Sequence, residues 1–172
     1  MQIEIINQPI RFRLLGLSSS VDNHCYGEVG CRLMDQMWKT VKTAKLKTTG
    51  INHWVYFADD RMFVGIEATD AERATIPEPL EPLEFDLTRY AKHVHIGPYQ
   101  ELPQKWKALK AELSARGESV MMPSLEIYGR SCEGDDGSKA EPATPSVDSR
   151  DCPRRPGHRP AAQAIRHSAT GS

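Results

Sequence analysis

The chain of 172 residues has no run approaching the ~18 apolar residues that a membrane-spanning helix requires. Its opening, MQIEIINQPIRFRLL, places Glu4 where a secretory signal would carry positive charge ahead of an apolar stretch. Both absences predict a soluble cytoplasmic protein. There is no CxxC pair among the four cysteines, Cys25, Cys31, Cys132 and Cys152, and their density is low, so neither a disulfide framework nor a structural zinc is expected. His24 with Cys25 and Cys31 fits no metal-ligand frame, and no metal or cofactor is expected. Excess charge of either sign is missing too. A net charge of -1 and a pI of 6.6 leave no basic footprint for nucleic acid, whose binding domains usually show pI above ~9. Hydrophobic residues are scarce at 39%, against ~45–50% in typical globular chains, which predicts that some part of the chain does not fold.

That deficit is concentrated after Gly129. Residues 130–172 contain no aromatic residue, and their only large aliphatics are Val147 and Ile165. Pro142, Pro145, Pro153, Pro156 and Pro160 interrupt any helix or ladder. The expectation is a disordered tail. Its end carries Arg150, Arg154, Arg155, Arg159 and Arg166 against Asp151, the composition of a basic arm for an acidic partner. A plain solvated tail is preferred, because no stacking aromatics are interleaved with these arginines.

Residues 1–129 contain an internal repeat. LMDQMWKTVKTAK (residues 33–45) sets Leu33, Met37, Val41 and Ala44 at helical spacing, with Met34 and Trp38 widening the stripe. ELPQKWKALKAEL (101–113) does the same with Leu102, Trp106, Leu109 and Leu113. Trp38-Lys39 and Trp106-Lys107 fall at matching points. Each helix is preceded by a strand-like run, PIRFRLLGLSSSV or TRYAKHVHIGPY, and followed by an alternating one, INHWVYF or SLEIYG. Gly97-Pro98 marks the turn into the second helix. RMFVGIEAT adds a further strand to the first unit through a hairpin at Asp59-Asp60, and ATIPEPLEPLE reads as the linker. The predicted fold is α+β: two strand-helix-strand-strand repeats, about 1–75 and 84–129, related by a pseudo-twofold axis. Helices lie on one side of the sheet and a ligand cleft lies between the repeats.

Alternation puts Trp54 and Tyr56 on one face of their strand, and Ile51, His53, Val55 and Phe57 on the other. Glu126 and Tyr128 likewise share a face, opposed by Leu125 and Ile127. The aliphatic faces are expected to meet the helices, leaving Trp54, Tyr56, Glu126 and Tyr128 to converge on the other side. Three aromatics around one carboxylate would trap a lipophilic cation, with each cation–π contact contributing ~0.5–2 kcal/mol. The plain alternative is a strand glutamate at a solvated edge with aromatics as ordinary cover. His93 and His95, two apart on a strand, lack a third ligand in view and read as a solvated face rather than a metal site.

The run RYAKHVHIGPYQELPQKWKALKAEL followed by PSLEIYG resembles the second half of the GyrI-like, or AraC-type effector-binding, domain. The first half, MWKTVKTAK with INHWVYFADDRMFVGIEAT, is most similar to the stand-alone integron-associated effector-binding proteins. The resemblance covers Met1 to about Gly129 and is carried by Gly97-Pro98-Tyr99 and Glu126-Ile127-Tyr128 in order. It implies a ligand-binding module related to the sensing halves of multidrug transcription regulators. By resemblance, Glu126 faces a bound lipophilic cation, and Tyr128, Trp54 and Tyr56 form the walls.

Two departures from the family qualify this. A strand begins within the first few residues, so no helix-turn-helix is expected and no direct DNA contact. After EIYG the family adds one more strand, whereas SCEGDDGSKAEPATPSVDSRDCPRRP does not alternate and reads, from near Glu141, as if the frame had changed. The last strand is therefore expected to be missing, with the Glu126 strand left as an exposed edge. Small-molecule binding is the first functional reading. The second is hydrolysis of strained electrophiles with Glu126 as acid or base, which requires a burial-raised pKa. The third is inhibition of a protein partner such as gyrase.

Overall fold

The computed structural model describes residues 2–96, 98–128 and 163–170. The strands are β1 (Glu4–Ile6), β2 (Ile10–Ser20), β3 (Asn52–Tyr56), β4 (Arg61–Glu67), β5 (Glu81–Leu87), β6 (Tyr90–His95), β7 (Ser119–Tyr128) and β8 (Gln163–Thr170). Helix α1 (Tyr26–Thr43) joins β2 to β3, a single turn α2 (Asp70–Arg73) follows β4, and α3 (Leu102–Ala115) joins β6 to β7. Both long helices coincide with the predicted amphipathic segments. Leu33, Met37 and Val41 of α1 and Leu102, Leu109 and Leu113 of α3 are buried. Gly97, expected at the entry to α3, lies outside the described residues, and a 3-10 turn over Tyr99–Glu101 leads into the helix.

The described strands form one curled antiparallel sheet in the order β1-β6-β8-β7-β3-β4-β2-β5. Exchanging β1–β4 for β5–β8 turns this order into its own reverse. Each half is thus strand, strand, helix, strand, strand, and the halves meet where β3 pairs with β7.

Two expectations are corrected. The proline-rich stretch after residue 75 is not all linker. Its second part is β5, in which Pro82 lies across from Leu15. The edge position explains this, because a proline costs no ladder bond on a side that faces no further strand. The closing strand is also present: β8 pairs with both β6 and β7. Residues 161–170 follow the last proline and contain no glycine, so this part of the tail can extend. Two strand edges, each with unpaired N–H and C=O groups, supply the ladder it fills. The remainder of the tail, including the frame change near Glu141, lies outside the described residues.

The core has two faces. On the helix side, α1 packs Leu33, Met37 and Val41 against Leu17, Trp54, Met62, Val64 and Ile66. Nearby, Leu102, Leu109 and Leu113 of α3 enclose Ala91. The opposite face buries Phe12, Leu14, Val55, Phe63, Leu87, Tyr90 and Leu125 with no helix residue among them. The expected sidedness is therefore reversed: Trp54 and Tyr56 face the helices, while Val55 and Leu125 pack strand against strand. The bulk of the aromatic rings explains the choice. They fill the deep space between a sheet and a helix, while the curl brings the aliphatic face against itself.

Candidate functional site

Glu126 lies at the centre of the seam between the halves, directly across from Trp54 in the β3–β7 pairing. In the same register Asn52 faces Tyr128 and Tyr56 faces Ser124. Period-two alternation then sends Trp54, Tyr56, Glu126 and Tyr128 to the helix side together. The structure brings all four into one cluster.

Glu126 is 3% exposed. Its Oε2 accepts a hydrogen bond from the Tyr56 hydroxyl at 2.8 Å and another from the Tyr128 hydroxyl. Its Oε1 accepts from the indole Nε1–H of Trp106, which reaches over from α3. All three donors are uncharged, and among the described residues no ion pair involves Glu126. A buried carboxylate is normally matched by a cation as well as by donors, since three neutral hydrogen bonds offset desolvation but not charge. Burial first, and the neighbouring carboxylate second, hold the Tyr56 phenol well above its ordinary value of 10.0. Tyr56 is therefore a proton-retaining donor at neutral pH.

The rings interlock around this carboxylate. Trp54 tilts against Tyr128 with centroids 5.2 Å apart, Tyr56 meets Trp106 edge-on at 6.2 Å, and Tyr26 of α1 meets Tyr56 edge-on at 5.5 Å. Tyr26 in turn donates to Asp60 at 2.9 Å. Helix α1 approaches closely because residue 30 is glycine: a Cβ there would lie 2.4 Å from the Trp54 ring. The four predicted residues are thus part of one interlocked aromatic cluster. Described cavities lie elsewhere, one of about 380 Å³ between the end of α1 and Pro77–Pro79, another beside Arg11 and Arg13.

Sequence reasoning missed Trp106, Tyr26 and Gly30 as parts of this cluster. The matching Trp-Lys positions in the two helices were the available signal for Trp106, but periodicity assigns a helix face and not the reach of an indole N–H. His93 and His95 are buried rather than solvated. The Nδ1 of His93 lies 2.7 Å from the Gln2 carbonyl, and the Nε2 of His95 lies 3.3 Å from that of Pro98. Among the described residues no group of three or more His, Cys, Asp or Glu side chains is placed to hold a metal ion. Nor is any described helix long and apolar enough to cross a membrane.

No curated protein sequence matches the chain closely enough to count as a relative. Solved structures do. EcmrR in its DNA complex superposes with a TM-score of 0.63 at 12% identity, covering 98% of this chain and 57% of that one, so this chain spans little more than half of EcmrR. SAV2435 bound to tetraphenylphosphonium gives 0.56 at 15% identity, covering 99% and 95%. A hydrolase from Listeria innocua gives 0.51 at 10% identity, covering 98% and 92%. At such identities the likeness is one of fold. The family model for the GyrI-like small molecule binding domain matches residues 1–140, and with the two-half sheet described above it establishes that the chain belongs to the GyrI-like family.

Proposed function

We propose that this GyrI-like domain binds lipophilic cations at Glu126, with Trp54, Tyr56, Tyr128 and Trp106 as the aromatic walls. One observation carries the reading: the carboxylate of Glu126, a residue 3% exposed, is ringed by aromatics, and its hydrogen-bond partners among the described residues are all neutral. An apolar cation supplies the missing charge, and the rings supply area and cation–π attraction. That a structural neighbour holds tetraphenylphosphonium supports the ligand class.

Intrinsic fluorescence titration tests this, using tetraphenylphosphonium and neutral tetraphenylsilane in matched cosolvent. Glu126→Gln keeps size and deletes charge, and it is expected to weaken phosphonium binding by about 1–3 kcal/mol, roughly five- to 150-fold, with little effect on the silane. Trp54→Ala weakens both, because lost ring area does not depend on ligand charge. Equal losses for both ligands in Glu126→Gln would make Glu126 structural.

Hydrolysis is the second reading, favoured by two phenols that donate to one oxygen of the same carboxylate. A neighbouring fold is that of a hydrolase. The elevated Tyr56 phenol fits a role in stabilising a leaving oxygen rather than one in releasing a proton. Turnover of a strained, epoxide-bearing aromatic by the native protein and not by Glu126→Gln would support catalysis over binding.

A further inference from the structure

The cluster around Glu126 gathers several hydrogen-bond donors about one carboxylate. That carboxylate receives Tyr56, Tyr128 and Trp106, three of its roughly four lone-pair directions. A fourth donor, the indole Nε1–H of Trp54, the residue paired with Glu126 across β3 and β7, has no hydrogen-bond partner among the described residues. Trp54 is 8% exposed, so the group is shielded from bulk water. The benzo carbons Cε3, Cζ3 and Cη2 lie against the position of Gly30 on α1. The pyrrole N–H is on the far side of the indole from Cε3 and Cζ3, directed away from that backbone. Across the strands from Trp54 are Val64, which brings no side-chain acceptor, and Glu126, which is hydrogen-bonded to other donors. A buried indole N–H ordinarily finds a partner, and leaving one unpaired is costly enough that such groups mark functional sites.

We infer that Trp54 is a specificity-determining residue whose indole N–H selects ligands carrying a hydrogen-bond acceptor next to their cationic centre. This rests on the reading of the Glu126 cluster as the ligand site. It narrows the ligand class to aromatic cations bearing a carbonyl, ether or ring nitrogen, and ranks hydrocarbon-clad cations below them. A site that hydrogen-bonds its ligand discriminates strongly against an isostere lacking the acceptor, because the buried donor then stays unpaired.

Tetraphenylphosphonium and the triphenyl(pyridyl)phosphonium isomers test it, since a ring nitrogen replaces one C–H with no change of charge or shape. The native protein is expected to bind at least one pyridyl isomer about tenfold more tightly than the all-phenyl cation. In Trp54→Phe that preference falls to about unity. The indole N–H resonance of Trp54, identified by its disappearance in Trp54→Phe, or by elimination using Trp38→Phe and Trp106→Phe, gives a second readout that needs no stable Trp54 variant. It is expected at the position of a non-hydrogen-bonded indole in the free protein, and to move downfield with the pyridyl ligand alone. Equal affinity for all the cations, a preference that survives in Trp54→Phe, or an indole already hydrogen-bonded in the free protein overturns the donor role. Failure of every cation to bind overturns the reading of the site, and this inference with it.

Discussion

The two halves carry equivalent tryptophans that do different things. Trp38 of α1 donates its indole N–H to the Asn52 side chain of β3 at 2.8 Å, and Trp106 of α3 donates to Glu126 of β7. By strand order β3 and β7 are counterparts, so a shared scaffold presents a neutral amide in one half and a carboxylate in the other. The halves also close differently. In the first, β3 and β4 are joined by the short turn of residues 57–60, whereas in the second the matching strand β8 enters after residues 129–162. The lesson is that the repeat builds the seam, and the buried carboxylate sits where the copies depart from each other.

Removing β8 should break the comparison most. Truncation after residue 160 leaves β6 and β7 as two unpaired edges, and is expected to cost at least ~3 kcal/mol, roughly 6–12 °C in Tm, with a rise in aggregation. Scanning calorimetry with light scattering checks it, and an unchanged Tm would show that β8 contributes little. Next comes the α1 side of the seam. Gly30→Ala drives a methyl into the Trp54 ring and should cost ~1–3 kcal/mol, with a shift in tryptophan emission that Gly27→Ala, which meets no neighbour within 4 Å, does not produce.

The paired tryptophans sharpen the contrast directly. Trp106→Phe leaves a buried carboxylate oxygen without its donor and should cost ~1.5–3 kcal/mol, whereas Trp38→Phe loses a neutral pairing at ~0.5–1.5 kcal/mol, both beyond the shared loss of ring area. Urea denaturation of both variants gives the difference; equal costs would mean that the carboxylate is not special. The smallest effect appears only in alkali. Because the Tyr56 phenol is raised in the folded state, its contribution is complete below 10.0 and is lost as pH rises from there toward the folded value. Stability should decline above that point by up to ~1.4 kcal/mol per pH unit from this group, and Tyr56→Phe should remove that part of the slope.

Much of this was legible along the chain. The helical spacing of Leu33, Met37 and Val41, the matching series in α3, and the alternation in β3 and β7 each report a local period, and local periods survive folding because backbone geometry imposes them. They also brought Trp54, Tyr56, Glu126 and Tyr128 to one face. Alternation groups side chains by face without saying which face meets the helices, and the aliphatic face expected there gave way to the aromatic one. β8 was illegible for another reason: a strand inserted between two edges is held by backbone hydrogen bonds, which leave no side-chain signature.

The sequence by itself determined the α+β class, the positions of both helices, and which side chains each strand turns to the same side, because these follow from dihedral geometry and hydrophobic period over short spans. Tertiary structure alone decided how the seam is assembled. Only the docking of α3 over β7 carries the Trp106 N–H to Glu126, and only the approach of α1 at Gly30 seals the Trp54 ring while leaving its N–H without a described partner. Those contacts join residues far apart in the chain, and their energy depends on shape and desolvation, which no local pattern encodes.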